Sequence, residues 1–222
     1  MSKMKKVIMM AILVGIIGIG GTFAFLASTT NVITNTFTSS RNIKIELREP
    51  KWDGYEFGQE YQGIPGVDKN PDIGSTPVGL DIANNYMPSD TITKNPTLKN
   101  ISTSDKAYVA IKVEFIDHNN QNITRETFES NYASLDISNS FTLINSASIA
   151  HDGYALYIFN TVLDANQVSN ELFTRVKINE DIKVLSDGYL PQFSIKTTGY
   201  GVQAVGLNSE EAKTAILDLA TN

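Results

Sequence analysis

The chain has 222 residues, a formal net charge of −6 at neutral pH and no cysteine. This length is enough for one domain that buries a substantial hydrophobic core. The acidic balance argues against nucleic acid or an anionic membrane surface as a partner. Without disulfides, the fold depends on packing and hydrogen bonding alone.

The first 24 residues have the pattern of a signal peptide. A lysine-rich stretch (residues 3–6) precedes an uncharged apolar run (residues 7–19), and residues 22–24 place small side chains at positions −3 and −1 of a cleavage site. We expect signal peptidase to cut between Ala24 and Phe25. Because three lysines and no acidic residue are removed, the mature chain has 198 residues and a formal charge of −9.

A retained membrane anchor is the alternative, because the apolar run counted to Ala27 is long enough to span a bilayer. Glycines at positions 15, 18, 20 and 21 weaken this alternative. They loosen a helix just where the peptidase needs an extended substrate. The sequence therefore predicts secretion, to the extracellular matrix or the cell surface.

Residues 25–40, the start of the mature chain, predict a donor strand that is given to a neighbouring subunit. Thr, Val, Ile and Phe are frequent in residues 25–38, which carry no charge and favour an extended conformation. Alternate positions place Phe25, Ala27, Ile33 and Phe37 on one face, interrupted by two asparagines. We expect the large apolar residues of this face to fill pockets of the neighbour. Folding back onto the strand's own subunit is the alternative.

Residues 41–222 predict a single all-β domain, a jelly-roll-like antiparallel sandwich with short peripheral helices and a C-terminal helix. Ile43, Ile45 and Leu47 alternate with charged residues, as in a half-buried strand. A Pro- and Gly-rich excursion (residues 50–88) lacks periodic apolar runs and is expected to be held to the body by its aromatic residues.

Short strands separated by turn residues fill the remainder of the chain. The clearest strand signal lies in residues 98–115, where Ala107, Val109, Ile111, Val113 and Phe115 face one way. A short helix is expected over residues 124–135, capped by Thr124, and a C-terminal helix capped by Asn208. The other predicted strands are residues 141–144, 154–159, 172–178, 193–197 and 200–205.

Catalytic and metal-binding patterns are weak, and we expect neither an enzyme nor a bound cofactor. The two histidines, His118 and His151, form no His-Glu-x-x-His pair, and neither a cysteine nor a Gly-x-Ser-x-Gly elbow is present. The stretch Asp68–Gly74 resembles the opening of a calcium loop. Its glycine comes one place late, and Gly79 occupies the twelfth position, where the loop needs glutamate. An acidic turn is therefore expected there, with no metal.

Five segments in the same order resemble the TasA and camelysin family of biofilm matrix proteins, which depend on a SipW-type signal peptidase. The likeness covers nearly the whole chain and is strongest to the clostridial BsaA group. The segments are Gly-Thr-Phe-Ala-Phe-Leu (21–26) with residues 35–38 and 43–47, then residues 87–100, 107–113, 162–167 with 172–178, and 200–207 with 210–212. Ser89 and Ala165 stand where turn glycines are expected.

The resemblance implies a secreted subunit of pilus-like biofilm matrix fibres that polymerises head-to-tail by donor-strand exchange. The implied partners are other copies of the chain, a SipW-type signal peptidase during export, and minor matrix subunits. Surface fibres also carry isopeptide bonds in some cases, but the sequence nominates no pair of residues. The alternative function is a monomeric surface adhesin or carbohydrate-binding module, with exposed Trp52 and Tyr55 as its binding platform.

Overall fold

The protein is seen in a computed structural model that describes residues 27–29, 43–145 and 153–221. The strands are β1 (Ala27–Thr29), β2 (Ile45–Arg48), β3 (Thr91–Thr93), β4 (Thr97–Asn100), β5 (Ala107–Ile116), β6 (Asn122–Ile123), β7 (Ala133–Leu135), β8 (Phe141–Leu143), β9 (Tyr154–Phe159), β10 (Arg175–Ile178) and β11 (Ser194–Gln203). The helices are α1 (Pro50–Asp53), α2 (Gly79–Ala83), α3 (Arg125–Asn131) and α4 (Ser209–Thr221), with a 3-10 turn at Pro71–Ile73. Within the described residues, no helix is both long enough and apolar enough to cross a bilayer.

One large antiparallel sheet organises the fold. Its strand order is β1-β11-β5-β9-β8, and β6 also pairs with β5. β5 and β11 form the longest ladder, with ten residue pairs that run from Ser194 opposite Ile116 to Gln203 opposite Ala107. Two smaller antiparallel sheets, β3-β10-β7 and β2-β4, accompany it.

The main core lies between the large sheet and the two small sheets. The five alternate residues of β5 expected to share a face, from Ala107 to Phe115, are all 0 % exposed and belong to one apolar cluster. Ile45 of β2, Leu98 of β4 and Val176 of β10 join this cluster from the small sheets. The period-2 pattern of β5 thus produces a sandwich, because one face of each sheet is buried against the other.

The C-terminal helix α4 covers the opposite face of the large sheet. Ala110 of β5 and Val202 of β11 form a second apolar cluster with Ala212 and Ile216 of α4. The helix begins as predicted, since the Oδ1 atom of Asn208 accepts the N–H groups of residues 210 and 211 at 2.9 and 3.0 Å. The predicted all-β antiparallel sandwich with short helices and a C-terminal helix is confirmed.

Several element boundaries differ from the prediction. The helix capped by Thr124 ends at Asn131, and Leu135 belongs to β7 instead. β10 begins only at Arg175, although Leu172 is buried in the approach to it. The two strands expected over residues 193–205 are one continuous strand, β11, because the Thr198 and Gly199 positions pair with β5 without interruption.

Two residues other than glycine have a positive φ angle at or next to the positions where turn glycines were expected. Ser89 has φ 70°, in the left-handed region where glycine carries no steric penalty. Near Ala165 it is the next residue, Asn166, that has φ 65°. Asparagine tolerates this conformation better than most residues, so the chain makes the second turn without glycine.

Candidate functional site

The edge of the large sheet is formed by β1, which comes from the predicted donor strand. Ala27, Ser28 and Thr29 pair antiparallel with Val202, Gly201 and Tyr200 of β11. Residues 27–29 therefore lie on β11 of their own chain. For these three residues this is the arrangement of the fold-back alternative, and it identifies β11 as the strand to which they are complementary.

The hydrogen-bonding positions in this pairing follow from the ladder beside it. Ala107 exchanges both of its backbone hydrogen bonds with Leu163, on the β9 side of β5, each at 2.9 Å. Antiparallel pairs alternate between hydrogen-bonded and non-hydrogen-bonded positions. Ala107 and Gln203 are therefore a non-hydrogen-bonded pair, and two residues further along so are Val109 and Gly201. The N–H and C=O groups of Gly201 consequently point away from β5 and toward Ser28. Ser28 and Gly201 form the hydrogen-bonded pair, and Ala27 with Val202 forms a close non-hydrogen-bonded pair.

Gly201 also makes room for the strand that packs above it. A Cβ atom at this position would lie 2.9 Å from Cγ2 of Ile45 and 3.3 Å from its Cδ1 atom. Only a residue without a side chain lets β2 approach the face of β11 this closely. β11 and β2 thus pack closely against each other at Gly201.

A groove of about 1510 Å³ runs between the excursion, the segment before β11 and the first half of β11. Aromatic side chains contribute to its walls, among them Trp52, Tyr61, Tyr86 and Tyr189. Glu49, Asp53 and Lys94 form part of its lining although each is 5 % exposed or less. The groove therefore has a charged floor beneath aromatic walls.

The floor is built around a buried ion pair between Lys94 and Glu49. The Nζ atom of Lys94 donates to Oε2 of Glu49, and Oε1 of Glu49 accepts the Thr197 hydroxyl of β11 at 2.8 Å. The Lys94 ammonium group also lies 4.5 Å from the centre of the Trp52 ring. Each charged group thus has a partner, as burial requires.

Asp53 is a third buried charge-bearing group in the same region. It is 1 % exposed, and its Oδ1 atom accepts the N–H group of Tyr55 at 3.0 Å. Burial raises the pKa of Asp53 to about 6, and the negative charge of Glu49 adds to the increase. This carboxyl group therefore holds its proton to a higher pH than an ordinary aspartate does.

The sequence pattern does not reveal this charged floor. The alternation in β2 predicts that Arg48 faces solvent, whereas Arg48 is 6 % exposed and its guanidinium carbon lies 4.1 Å from the centre of the Tyr61 ring. Nothing in a Thr-Lys-Asn-Pro sequence distinguishes a buried Lys94 from a surface lysine. Proximity to Glu49 arises only when the β2-β4 sheet and β3 are assembled.

The predicted site residues are only partly within the described region. Ala27 lies in β1, while the cleavage residues Ala24 and Phe25 and the expected pocket-filling residues Ile33 and Phe37 lie outside the described residues. Their roles remain predictions.

Of the two residues expected as an exposed binding platform for the adhesin alternative, Tyr55 is contradicted because it is buried. Tyr55 is 1 % exposed, and its hydroxyl accepts the N–H group of Gln62. Trp52 is only partly exposed, and its indole N–H donates to the carbonyl of Gly66 at 2.7 Å. Both side chains anchor the excursion, because their polar atoms are used within it.

Where they are described, the histidines and the calcium-like stretch make local structural contacts. His118 Nδ1 lies 2.9 Å from the hydroxyl of Tyr132, and His151 is outside the described residues. In the calcium-like stretch, Asp68 accepts the N–H group of Ile64 at 2.6 Å and Asn70 caps the 3-10 turn through Asp72. Over the described ranges, no three His, Cys, Asp or Glu side chains cluster as a metal site would need.

Comparisons of the chain with protein-family models, with curated proteins and with solved structures find no match. The described residues form an all-β sandwich in which Ala27–Thr29 are the edge strand of the large sheet. This edge and the groove beside it are the two candidate functional surfaces.

Proposed function

We propose that the chain is a secreted structural subunit of biofilm matrix fibres, without enzymatic activity, that polymerises when the N-terminal segment of one copy pairs with β11 of the next. The observation that carries this proposal is the antiparallel pairing of Ala27–Thr29 with Tyr200–Val202. It makes β11 an acceptor for a segment that the sequence places directly after the signal-peptide cleavage site.

The same pairing can be made within one copy or between copies, because the two strands are identical in both cases. In exchange, only the connection between β1 and β2 changes its path. The fifteen residues between Thr29 and Ile45 can span at most ~50 Å when extended. A compact body of this size is ~40 Å across, so the connection is long enough to reach a neighbouring copy.

Exchange produces an open filament, since the donated segment and the accepting edge are different surfaces of the subunit. Strand addition also protects the edge of β11, which would otherwise be available for uncontrolled pairing. Export through a SipW-type signal peptidase would delay assembly until Phe25 is free. Minor matrix subunits could share the edge through the same backbone contacts.

Electron microscopy of two purified forms tests the proposal. One form begins at Phe25 and the other at Arg41, so that only the first has the donor segment. We expect filaments from the first form and folded monomers from the second. Folded monomers from both forms would contradict self-sufficient strand exchange, and filaments from both would place polymerisation elsewhere.

A second candidate function, the carbohydrate-binding module, is favoured by the groove rather than by the original platform. Partly exposed aromatic walls above carboxylates are the surfaces on which sugar rings stack and hydrogen-bond. Tyr189 is 73 % exposed at its rim. Titration with a panel of soluble polysaccharides, using a Tyr189→Ala control, would detect such binding, and it would be retained by the form that begins at Arg41.

A further inference from the structure

The ion pair between Lys94 and Glu49 has the features of a site for covalent bond formation. The two residues are both 5 % exposed, and their side chains are in direct contact. They are separated by 44 intervening residues of the Pro- and Gly-rich excursion and the segment that follows it. A buried, pre-positioned pair is the arrangement in which an intramolecular reaction gains the greatest effective concentration.

The contacts of the pair hold both groups in place away from water. The Trp52 ring lies against the Lys94 ammonium group, and Glu49 accepts a hydrogen bond from the Thr197 hydroxyl. Reaction would require a proton to pass along the direct contact from Nζ of Lys94 to Oε2 of Glu49, which leaves an amine and a carboxylic acid.

Asp53 is placed to assist the reaction. It borders the same groove as Lys94 and Glu49, and it interacts electrostatically with both. Its raised pKa means that a proton is available on this carboxyl group in mildly acidic conditions. The groove gives a departing water molecule a route out.

We propose that Lys94 and Glu49 become joined by an isopeptide bond between Nζ of the lysine and Cδ of the glutamate. The lone pair of Nζ attacks Cδ, and the new C–N bond forms as the bond from Cδ to one carboxyl oxygen breaks. Asp53 donates a proton to the departing hydroxyl and takes one from the nitrogen. One ammonium and one carboxylate thus give one amide and one water, with no oxidant or other reactant.

The bond would be a covalent cross-link in a chain that has no cysteine for disulfides. Glu49 follows β2 directly and Lys94 follows β3 directly, so the bond would connect the two small sheets. It would close residues 49–94 into a covalent loop that contains the excursion. Cross-links of this kind restrict the unfolded chain in the way that disulfides do. The inference does not depend on fibre formation.

Intact-mass measurement of the full chain in denaturant tests the proposal. We expect the protein to be lighter by one water molecule than its sequence requires. A trypsin digest should contain residues 49–51 linked to residues 70–99, because a modified Lys94 is no longer a cleavage site. An unchanged mass, with residues 70–94 and 95–99 released as separate peptides, would overturn the proposal.

Two variants assign the roles. Lys94→Arg keeps a positive charge but has no primary amine, and we expect it to show the full calculated mass. Asp53→Asn keeps the Lys94–Glu49 pair intact, and we expect most of it to lack the link. Complete linkage in Asp53→Asn would overturn the assignment of Asp53 as the proton donor. A link mapped to a different lysine would overturn the assignment of the pair.

Discussion

The two neighbours of β11 differ sharply. On one side, β5 makes ten residue pairs and contributes six residues that are 0 % exposed. On the other side, β1 makes three residue pairs. Burial of each large apolar side chain is worth about 1.5–3 kcal/mol, whereas a cross-strand pair contributes about 0.2–1 kcal/mol.

This difference separates a permanent contact from an exchangeable one. Loss of β5 would expose several buried apolar side chains, while loss of the three β1 pairs would cost only about 0.6–3 kcal/mol. A domain is typically stable by about 5–15 kcal/mol, so the body can remain folded while its edge is vacated and refilled. The proposed fibre needs this combination.

The largest effect is expected on the permanent side. Val109 is 0 % exposed and lies opposite Gly201, so Val109→Asp would bury a carboxylate without a partner. We expect a loss of the order of 4 kcal/mol or more, which is a large part of the stability of a typical domain. Urea unfolding followed by circular dichroism measures this loss. The control is Ser194→Asp, at an exposed position of β11, and equal stability of the two variants would contradict the comparison.

A change on the exchangeable side should act on assembly instead. Ser28→Pro removes the N–H group that β1 directs to the carbonyl of Gly201, because proline has no backbone donor. We expect filament formation to be lost while the unfolding midpoint in urea stays close to that of the unmodified chain. Light scattering and urea unfolding measure the two properties. A folded variant that still forms filaments at the original rate would contradict the role of this edge.

The pH dependence of stability should belong to the body alone. The pKa of Asp53 is about 6 in the folded protein against ~3.9 in an unfolded chain, so its folded form binds the proton more tightly. Its stabilisation is fully present below pH ~4 and is lost as the pH rises through 6. The corresponding change in unfolding free energy is ~3 kcal/mol. We expect Asp53→Asn to remove this slope, both in the full chain and in the form that begins at Arg41.

The pKa of Asp136 is shifted in the opposite direction to that of Asp53. Partial burial works against its ionisation, but hydrogen bonds from Thr174 and Arg175 to its carboxylate lower its pKa to about 2. Its stabilisation is present above pH ~4 and is lost as the pH falls through 2. Asp136→Asn should therefore reduce stability at neutral pH and leave the Asp53-dependent slope in place. Loss of that slope in this variant would show that the two carboxyl groups are coupled.

The smallest effect is expected at the cap of α4. Asn208→Ala removes the acceptor for two helix N–H groups and should cost about 1 kcal/mol. Because α4 covers the face of β11 rather than its edge, we expect unfolding to shift while filament formation is retained. Thermal unfolding and electron microscopy of the same sample check both parts. Loss of filaments in a folded variant would show that the face takes part in assembly.

The sequence predicted the parts of the fold that rest on local patterns. Residues close together in the chain determine the alternation in β5, the Thr124 and Asn208 caps and the all-β class. The merging of residues 193–205 into one strand was not predicted, because pairing with β5 overrides the local preference of Thr198 and Gly199 for a break.

The candidate site was predictable only in part. A docking segment could be recognised from uncharged, β-favouring residues that follow a cleavage site. Its position on β11 and the contact of Lys94 with Glu49 depend on residues far apart in the chain, and no short pattern encodes them. The buried Tyr55 shows the same limit, because an aromatic residue in a Gly-rich stretch can anchor a loop as well as bind a ligand.

Disulfide trapping between two singly substituted copies tests strand exchange most directly. Ala27 lies opposite Val202 in a non-hydrogen-bonded pair, whose Cα atoms are ~4.5 Å apart and therefore within reach of a disulfide. The chain has no other cysteine. When Ala27→Cys and Val202→Cys chains that begin at Phe25 are mixed, assembled and oxidised, we predict a covalent dimer containing one copy of each. Efficient linkage in the double variant within a single chain, with no mixed dimer from the single variants, would contradict exchange between copies.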